Sequence, residues 1–159
     1  MYRRVFVLLA ALSVPLTGAG DAAIDRATLR GITAVNVVMD PIAPEIEKEG
    51  ATTSAIRARL EEKLRDGGPK LDPASNEFLA LRVRSVRAGR GPYAIAATIG
   101  FYQRVTLVRD PALRTATQTW EVDTVLLADP KQVYRACMDS VDELATRFLA
   151  AYRSANPTK

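Results

Sequence analysis

Apolar and polar residues alternate through the middle of the chain, most regularly in residues 100–110, GFYQRVTLVRD. Alternation with a period of two places successive side chains on opposite faces of a β-strand. The alternating and β-branched segments predict five strands, at residues 32–39, 70–71, 78–86, 93–108 and 113–127. The last two are connected by RDPAL, in which Asp and Pro are typical turn residues. We therefore expect these two strands to form a long hairpin.

The three longer strands pair into an antiparallel meander with one apolar and one polar face. In the register that separates the faces best, Phe101 lies opposite Val122 and Val83 lies opposite Ile95. A one-residue slip would mix the two faces, so the pattern itself favours this phase. The polar face then carries seven candidate surface residues: Arg82, Arg84, Tyr102, Arg104, Thr119, Glu121 and Asp123.

Two amphipathic helices are predicted to cover the apolar face. The first occupies residues 52–66, with a threonine as its N-cap and Gly67-Gly68 as its stop. The second occupies residues 129–154 and starts at a proline. Its apolar positions recur at intervals of three and four: Val133, Cys137, Val141, Leu144, Phe148 and Tyr152. The acidic, proline-containing segment 40–50 predicts a loop.

The predicted order of elements is β-α-β-β-β-β-α. Such an order defines an α+β fold, a two-layer sandwich in which two helices lie on one face of a mainly antiparallel sheet. We find no internal repeat and no second domain in the sequence.

The first residues, MYRRVFVLLAALSVPLTGAGDAA, have the layout of a secretory signal peptide: two arginines, an apolar run and then small residues. The apolar run is shorter than the roughly 20 residues of a transmembrane helix. We expect cleavage between Ala19 and Ala23, and we divide the chain into a signal peptide, residues 1–22, and one α+β domain, residues 23–159. Because no Cys stands at this junction to accept a lipid, the mature protein is expected to be periplasmic or secreted, without a stable membrane anchor.

Composition removes several classes of chemistry. The chain has no His and a single Cys, Cys137, so it can form neither an intramolecular disulfide nor a His-dependent triad or zinc motif. We expect no metal and no cofactor, and we expect Cys137 in the core. The net charge of +4 becomes +3 when Arg3, Arg4 and Asp21 leave with the signal peptide. Such a small excess does not predict nucleic-acid binding, which usually requires a concentrated basic face.

The seven candidate surface residues form the sharpest polar group in the sequence. Arg104 is expected diagonally across from Glu121, where an ion pair would stabilise the sheet by ~0.2–1 kcal/mol. A catalytic acid and base would need a partly buried cleft, which a flat solvated sheet does not provide. We therefore predict a ligand or partner surface and no catalytic residues. Trp120 is expected on the apolar face, with Gln103 as the partner of its indole N–H.

Four segments, in this order, resemble a family of small exported bacterial proteins of unassigned function: LRGITAVNVVMDPIAPEIEKEGATTSAIRARLEEKLRDGG, YAIAATIGFYQRVTLVRD, TATQTWEV and VYRACMDSVDELATRFLAAYRSANP. The order of elements is also similar to that of the amino-terminal domain of the TolB translocation protein and of related envelope lipoproteins. This resemblance implies a role in the bacterial envelope that is exerted through protein contacts, and it carries no catalytic residues to this chain.

The sequence thus predicts a non-enzymatic periplasmic or secreted module that binds an envelope protein, an anionic envelope component or a second copy of itself. Two alternatives stay open. A small hydrolase-like enzyme would take its acid and base from Tyr102, Arg104, Glu121 and Asp123. A small-molecule carrier would need an apolar cavity between the helices and the sheet.

Overall fold

The computed structural model describes residues 20–87 and 89–157, so the predicted signal peptide lies outside the described residues except for its last three. The described residues form five strands: β1 (Ala34–Met39), β2 (Lys70–Leu71), β3 (Phe78–Arg87), β4 (Tyr93–Leu107) and β5 (Asp110–Ala128). They also form four α-helices: α1 (Ala23–Ala27), α2 (Pro44–Lys48), α3 (Thr53–Leu64) and α4 (Val133–Ala155). A 3-10 turn, Pro130–Gln132, precedes α4.

The strands build one mixed sheet in the order β2-β1-β3-β4-β5. The predicted antiparallel meander of β3, β4 and β5 is confirmed, whereas β1 pairs in parallel with both β2 and β3. A parallel pair needs a crossover connection, and α3 supplies it between β1 and β2. The α+β class is therefore confirmed, with a first strand that lies inside the sheet.

Both hairpins pair two residues away from the predicted register. Phe101 lies opposite Trp120 rather than Val122, and the same shift places Val83 opposite Ala97. A shift by an even number leaves the side chains on their predicted faces as far as Phe101, beyond which an irregularity changes the β4–β5 register by one more residue. The hydrophobic pattern identifies the faces but does not distinguish registers that differ by two.

The two long helices cover one face of the sheet, as predicted, and share one apolar core with it. Thr52 caps α3, because its Oγ1 accepts a hydrogen bond from the Ala55 N–H at 3.2 Å. Gly67 follows the helix with a φ of +91°, the left-handed conformation that glycine adopts most readily. The second helix starts at Val133 rather than at Pro130, since the intervening residues form the 3-10 turn.

The segment 40–50 was predicted as a loop, and this prediction is wrong in its centre, where α2 forms. Pro44 occupies the first helical position, where its missing N–H leaves no hydrogen bond unmade. Ile46 is fully buried and anchors the short helix in the core. The two prolines of the segment conceal a helix that tertiary burial stabilises.

The core fills the space between the helices and the sheet. Its largest side chains, Trp120, Phe101 and Phe148, are at most 1% exposed. The Trp120 and Phe148 rings meet edge to face with centroids 5.4 Å apart, an arrangement that aromatic pairs prefer. These side chains occupy the region in which a small-molecule carrier would need its cavity.

The two ends of the described chain are tied together. Asn156, just after α4, accepts a hydrogen bond from the Gly31 N–H at 2.7 Å and donates one to the Leu29 carbonyl at 2.9 Å. The Gly20 carbonyl accepts a hydrogen bond from the Glu121 N–H at 3.0 Å, so the amino-terminal segment lies along the outer edge of β5. Among the described helices, none combines the length and apolarity that a membrane crossing requires.

Candidate binding surface

A trough runs along β4 on the face of the sheet that the helices leave uncovered. Its floor consists of small residues at alternate positions of β4: Ala94, Ala96, Thr98 and Gly100. Its walls are residues of the neighbouring strands, Arg82, Arg84 and Val86 on β3 and Glu121, Asp123, Val125 and Leu127 on β5. Since adjacent strands lie about 4.8 Å apart, the walls stand about 10 Å from each other.

One end of the trough is apolar. Val86, Val125 and Leu127 are 73%, 70% and 73% exposed, although all three are large apolar side chains. Val86 and Val125 line a depression of about 140 Å³ together with the floor residues Ala94 and Ala96. Contiguous exposed apolar surface of this kind marks interaction sites in soluble proteins.

The other half of the trough carries opposite charges on its two walls. Arg82 and Arg84 make the β3 wall basic, and Glu121 and Asp123 make the β5 wall acidic. In the described part of the chain these four residues form no ion pair across the trough, and Arg82 instead pairs with Asp40 at 3.2 Å. The two walls therefore present separate charges to a bound molecule.

A hydrogen-bonded network closes the charged end of the trough. The Tyr102 hydroxyl donates to Gln118 Oε1 at 2.7 Å and accepts from Arg82 Nη2 at 3.3 Å, while Arg82 Nε donates to Asp40 Oδ2 at 3.2 Å. The Tyr102 ring stacks on Phe78 with centroids 5.0 Å apart. The hydrogen bond to Tyr102 outweighs the effect of burial and raises the pKa of Arg82.

The structure brings most of the predicted surface residues together. Five of them belong to the trough or its closed end: Arg82, Arg84, Tyr102, Glu121 and Asp123. Arg104 lies further along β4, where its Nη2 donates to Asn76 Oδ1 at 2.8 Å. The predicted diagonal pair of Arg104 with Glu121 is therefore wrong, because it depended on the register that the structure shifts.

Thr119 also lies outside the trough, and it is the predicted surface residue that leaves the polar face. Pairing passes from Phe101–Trp120 to Tyr102–Gln118, which leaves Thr119 in a β-bulge. Its Oγ1 accepts hydrogen bonds from Gln103 Nε2 at 2.8 Å and Thr28 Oγ1 at 3.2 Å. The bulge thus turns Thr119 away from the trough and toward the amino-terminal segment, so its placement on the polar face was wrong.

The β4–β5 hairpin continues past the core as a two-stranded arm. Residues 110–117 are exposed on both sides, and Val108 at the turn is 100% exposed. Val105 and Leu107 follow the same alternation as Phe101, which predicts them on the apolar face under the helices, but they are only half-buried because the core cluster ends at Phe101 and Trp120. The arm is a second accessible surface next to the trough.

A buried ionic cluster lies at the β5 edge, on the core side of the sheet. Trp120 Nε1 donates to Asp21 Oδ1 at 2.8 Å, so the predicted partner, Gln103, is wrong. Arg26 donates to both carboxylate oxygens of Asp21, at 2.8 and 2.7 Å. Burial raises the pKa of Asp21, but the hydrogen bonds from Arg26 and Trp120 outweigh it and hold that pKa below its ordinary value.

Cys137 is buried on α4, as predicted, and burial raises the pKa of its thiol to about 11. Because the thiolate is the nucleophilic form, this cysteine is unreactive near neutral pH. Within residues 20–87 and 89–157, no three acidic or cysteine side chains gather as a metal site would require.

The comparisons give similar folds and no family. No protein-family model matches the chain, and no curated protein matches it. Solved structures are similar at low identity. Protein XCC0632 from Xanthomonas campestris, described as DUF330, is 14% identical with a TM-score of 0.44, over 81% of this chain and 91% of its own.

Two further structures have comparable similarity. A PelC dodecamer from Paraburkholderia phytofirmans is 11% identical with a TM-score of 0.43, over 76% of this chain and 88% of its own. A minor lipoprotein from Acinetobacter baumannii is 13% identical with a TM-score of 0.40, over 79% of this chain and 93% of its own.

Sequence reasoning missed three parts of this surface. Asp40 reaches Arg82 only because β1 inserts beside β3, and no local signal predicts that strand order. Gln118 joins Tyr102 because of the bulge at Thr119. The run of small residues at alternate positions of β4 was visible in the sequence, and it was the signal that could have predicted the trough.

Proposed function

We propose that this protein is a non-enzymatic component of the bacterial envelope that binds a segment of a partner protein in the trough. The observation that carries this proposal is the row of small β4 residues that the helices leave uncovered, between an apolar end and two walls of opposite charge. A partner segment with apolar side chains at one end and with charges of both signs at the other would complement it.

A protein segment fits this surface better than a small molecule does. Small-molecule sites are concave and enclose most of the ligand surface, whereas the walls of the trough are exposed at Arg84, Val86, Asp123 and Val125. An open surface of mixed apolar and charged character is typical of transient protein–protein contacts. The apolar end would bury apolar side chains of the partner segment, and the charged walls would orient that segment.

The location in the envelope rests on the amino-terminal sequence. The two arginines, the apolar run and the small residues that follow them favour export. We propose that the protein acts in the periplasm or outside the cell. The predicted likeness to the TolB amino-terminal domain stays a prediction.

Site-specific photo-cross-linking tests the trough directly. A benzophenone amino acid replaces Ala96 on the floor, and the same group at Ala58 on the exposed side of α3 serves as the matched control. Irradiation of intact cells should give a discrete adduct from position 96 and none from position 58. Exchanging the wall charges, with Arg84→Glu and Asp123→Lys together, should abolish that adduct while the protein stays folded.

The mass of the adduct identifies the partner. A product of twice the chain mass would identify a second copy of this protein, and mass spectrometry of any other product would name its partner. Equal adducts from both positions, or none from position 96, would contradict binding in the trough. An adduct that survives the charge exchange would show that the charged walls do not orient the partner.

A further inference from the structure

We propose that export cuts this chain between Ala19 and Gly20, so that Gly20 and Asp21 remain in the mature protein. This processing site does not depend on whether the trough binds a partner. A signal peptidase would hydrolyse the amide bond with one water molecule, leaving a carboxylate on Ala19 and an ammonium group on Gly20.

The sequence by itself permits three cuts. Signal peptidases require small residues at the first and third positions before the cut. Thr17 and Ala19 satisfy this requirement for a cut before Gly20, and Gly20 and Ala22 satisfy it for a cut before Ala23. Gly18 and Gly20 satisfy it for a third cut, before Asp21. The boundary predicted from the sequence, residue 22, corresponds to the second cut.

The fold distinguishes these cuts because Gly20 and Asp21 make contacts with the rest of the domain. Asp21 is 8% exposed and its carboxylate accepts three hydrogen bonds, one from Trp120 and two from Arg26. The Gly20 carbonyl accepts the N–H of Glu121 on the outer edge of β5. These contacts attach Gly20 and Asp21 to β5 and to the core.

A cut before Ala23 would remove all of these contacts, and a cut before Asp21 would remove the Gly20 carbonyl from the Glu121 N–H. Trp120 is 1% exposed with Asp21 in place, and without Asp21 its indole N–H would lose both its acceptor and part of its cover. Arg26 would lose both of its hydrogen bonds, and the Glu121 N–H would lose the Gly20 carbonyl. An unpaired buried donor costs more than a missing exposed contact does.

The rest of the amino-terminal segment supports the same boundary. Leu29 is fully buried, and the Thr28 carbonyl accepts a hydrogen bond from Gln103 at 3.3 Å. The segment from Gly20 to Leu29 is therefore a continuous part of the domain, in which Asp21 makes the first side-chain contact with the core. A cut before Gly20 leaves all of it in place.

The test is the mature amino terminus of the exported protein. The full 159-residue chain is expressed in a Gram-negative host, and the exported form is analysed by intact mass and amino-terminal sequencing. We expect Gly20 as the first residue. A first residue of Asp21 or later would overturn the proposal, and so would an exported chain that is not cut.

Two variants and one comparison sharpen the test. Ala19→Leu should abolish the mature form, whereas the matched change Ala22→Leu should leave the cut in place; the opposite pattern would overturn the proposal. Purified chains that start at Gly20 and at Ala23 are then compared in thermal unfolding and in the fluorescence of the single tryptophan. The shorter chain should have a midpoint several degrees lower and a red-shifted emission, and equal behaviour would contradict the structural reason given for the cut.

Discussion

Asp21 shows how one carboxylate can be both buried and ionised. It lies near the amino-terminal end of the described chain, yet it accepts the indole N–H of the largest core residue, Trp120, and the fork of Arg26. Three donors supply what water would otherwise supply, so the charged form is retained despite burial. The residue thereby attaches the amino-terminal segment to β5.

Replacing this carboxylate should therefore destabilise the protein. Asp21→Ala leaves the buried Trp120 N–H unpaired and Arg26 without its partner, and we expect a loss of about 2–3 kcal/mol in the free energy of unfolding. Asp21→Asn keeps one acceptor oxygen and should lose less. Urea unfolding monitored by tryptophan fluorescence measures both changes.

Asp139→Ala is the matched control for the loss of a carboxylate. Its pair with Arg135 is long, at 3.6 Å, and both side chains are largely exposed, so the change should stay within about 0.5 kcal/mol. If Asp21→Ala were as mild as Asp139→Ala, the buried cluster would not contribute to stability as described.

At the scale of elements, β4 connects the two sides of the sheet. Its odd positions fill the core with Ile95, Ile99 and Phe101, and its even positions form the floor of the trough. The helices of the covered side are held by Arg59 of α3, which donates to both oxygens of Asp142 on α4 at 2.7 and 2.6 Å. The uncovered side has no such partner element in the described residues.

Gly100→Ala should separate the function of the trough from the stability of the fold. An added Cβ would lie 2.9 Å from Gln118 Oε1 and 3.3 Å from a Tyr102 ring carbon, so the flexible end of Gln118 must move. Alanine is preferred over glycine in a strand by roughly 0.5–1 kcal/mol, which offsets that cost, and stability should change by less than about 1 kcal/mol. Because Gln118 and Tyr102 would shift at the closed end of the trough, the yield of the photo-adduct at position 96 should nevertheless fall.

Gly68→Ala is the contrasting control. Its Cβ would lie 2.5 Å from the Leu64 carbonyl oxygen, a backbone atom that cannot step aside. We expect this variant to lose about 1–3 kcal/mol. Equal stability of the two alanine variants in urea unfolding would contradict the packing described for both glycines.

The elements were predictable to different degrees. The faces of β3 and β4 followed from a period of two that the core enforces. The register did not, because a shift by two residues leaves the same side chains on the same face, as Phe101 opposite Trp120 shows. The bulge at Thr119 has no local signal in TQTW, and the helix at Pro44–Lys48 was hidden by its prolines.

At the scale of the molecule, stability should depend on pH through two aspartates. Hydrogen bonds hold the pKa of Asp21 below its ordinary value of 3.8 against the effect of burial. The Arg59 hydrogen bond lowers the pKa of Asp142 in the same way. A carboxyl whose pKa is depressed in the folded state stabilises it above the ordinary value, and this contribution is lost as the pH falls through the depressed pKa.

Urea midpoints should therefore be nearly constant above pH 5 and should fall as the pH drops below 3.8. Asp21→Asn should make the fall shallower, because one of the two linked groups no longer titrates. A midpoint that does not change between pH 5 and pH 2, or an Asp21→Asn profile as steep as that of the unchanged chain, would contradict this linkage.

The strand order could not be predicted from the sequence. β1 lies between β2 and β3, and nothing in residues 34–39 specifies those neighbours. Asp40 therefore joined the network at Arg82 without any prediction. Likewise, Asp21 was assigned to the signal peptide, since small residues continue past it and its partner, Trp120, lies far along the chain.

The hydrogen bonds of Asn156 to Leu29 and Gly31 bear on when the protein can finish folding. The Asn156 amide holds the Leu29 carbonyl and the Gly31 N–H, while α4 seals the core beneath. These two contacts join residues that are 125 and 127 positions apart in the chain. The largest aromatic side chains therefore stay uncovered until α4 has been synthesised and has packed against the sheet.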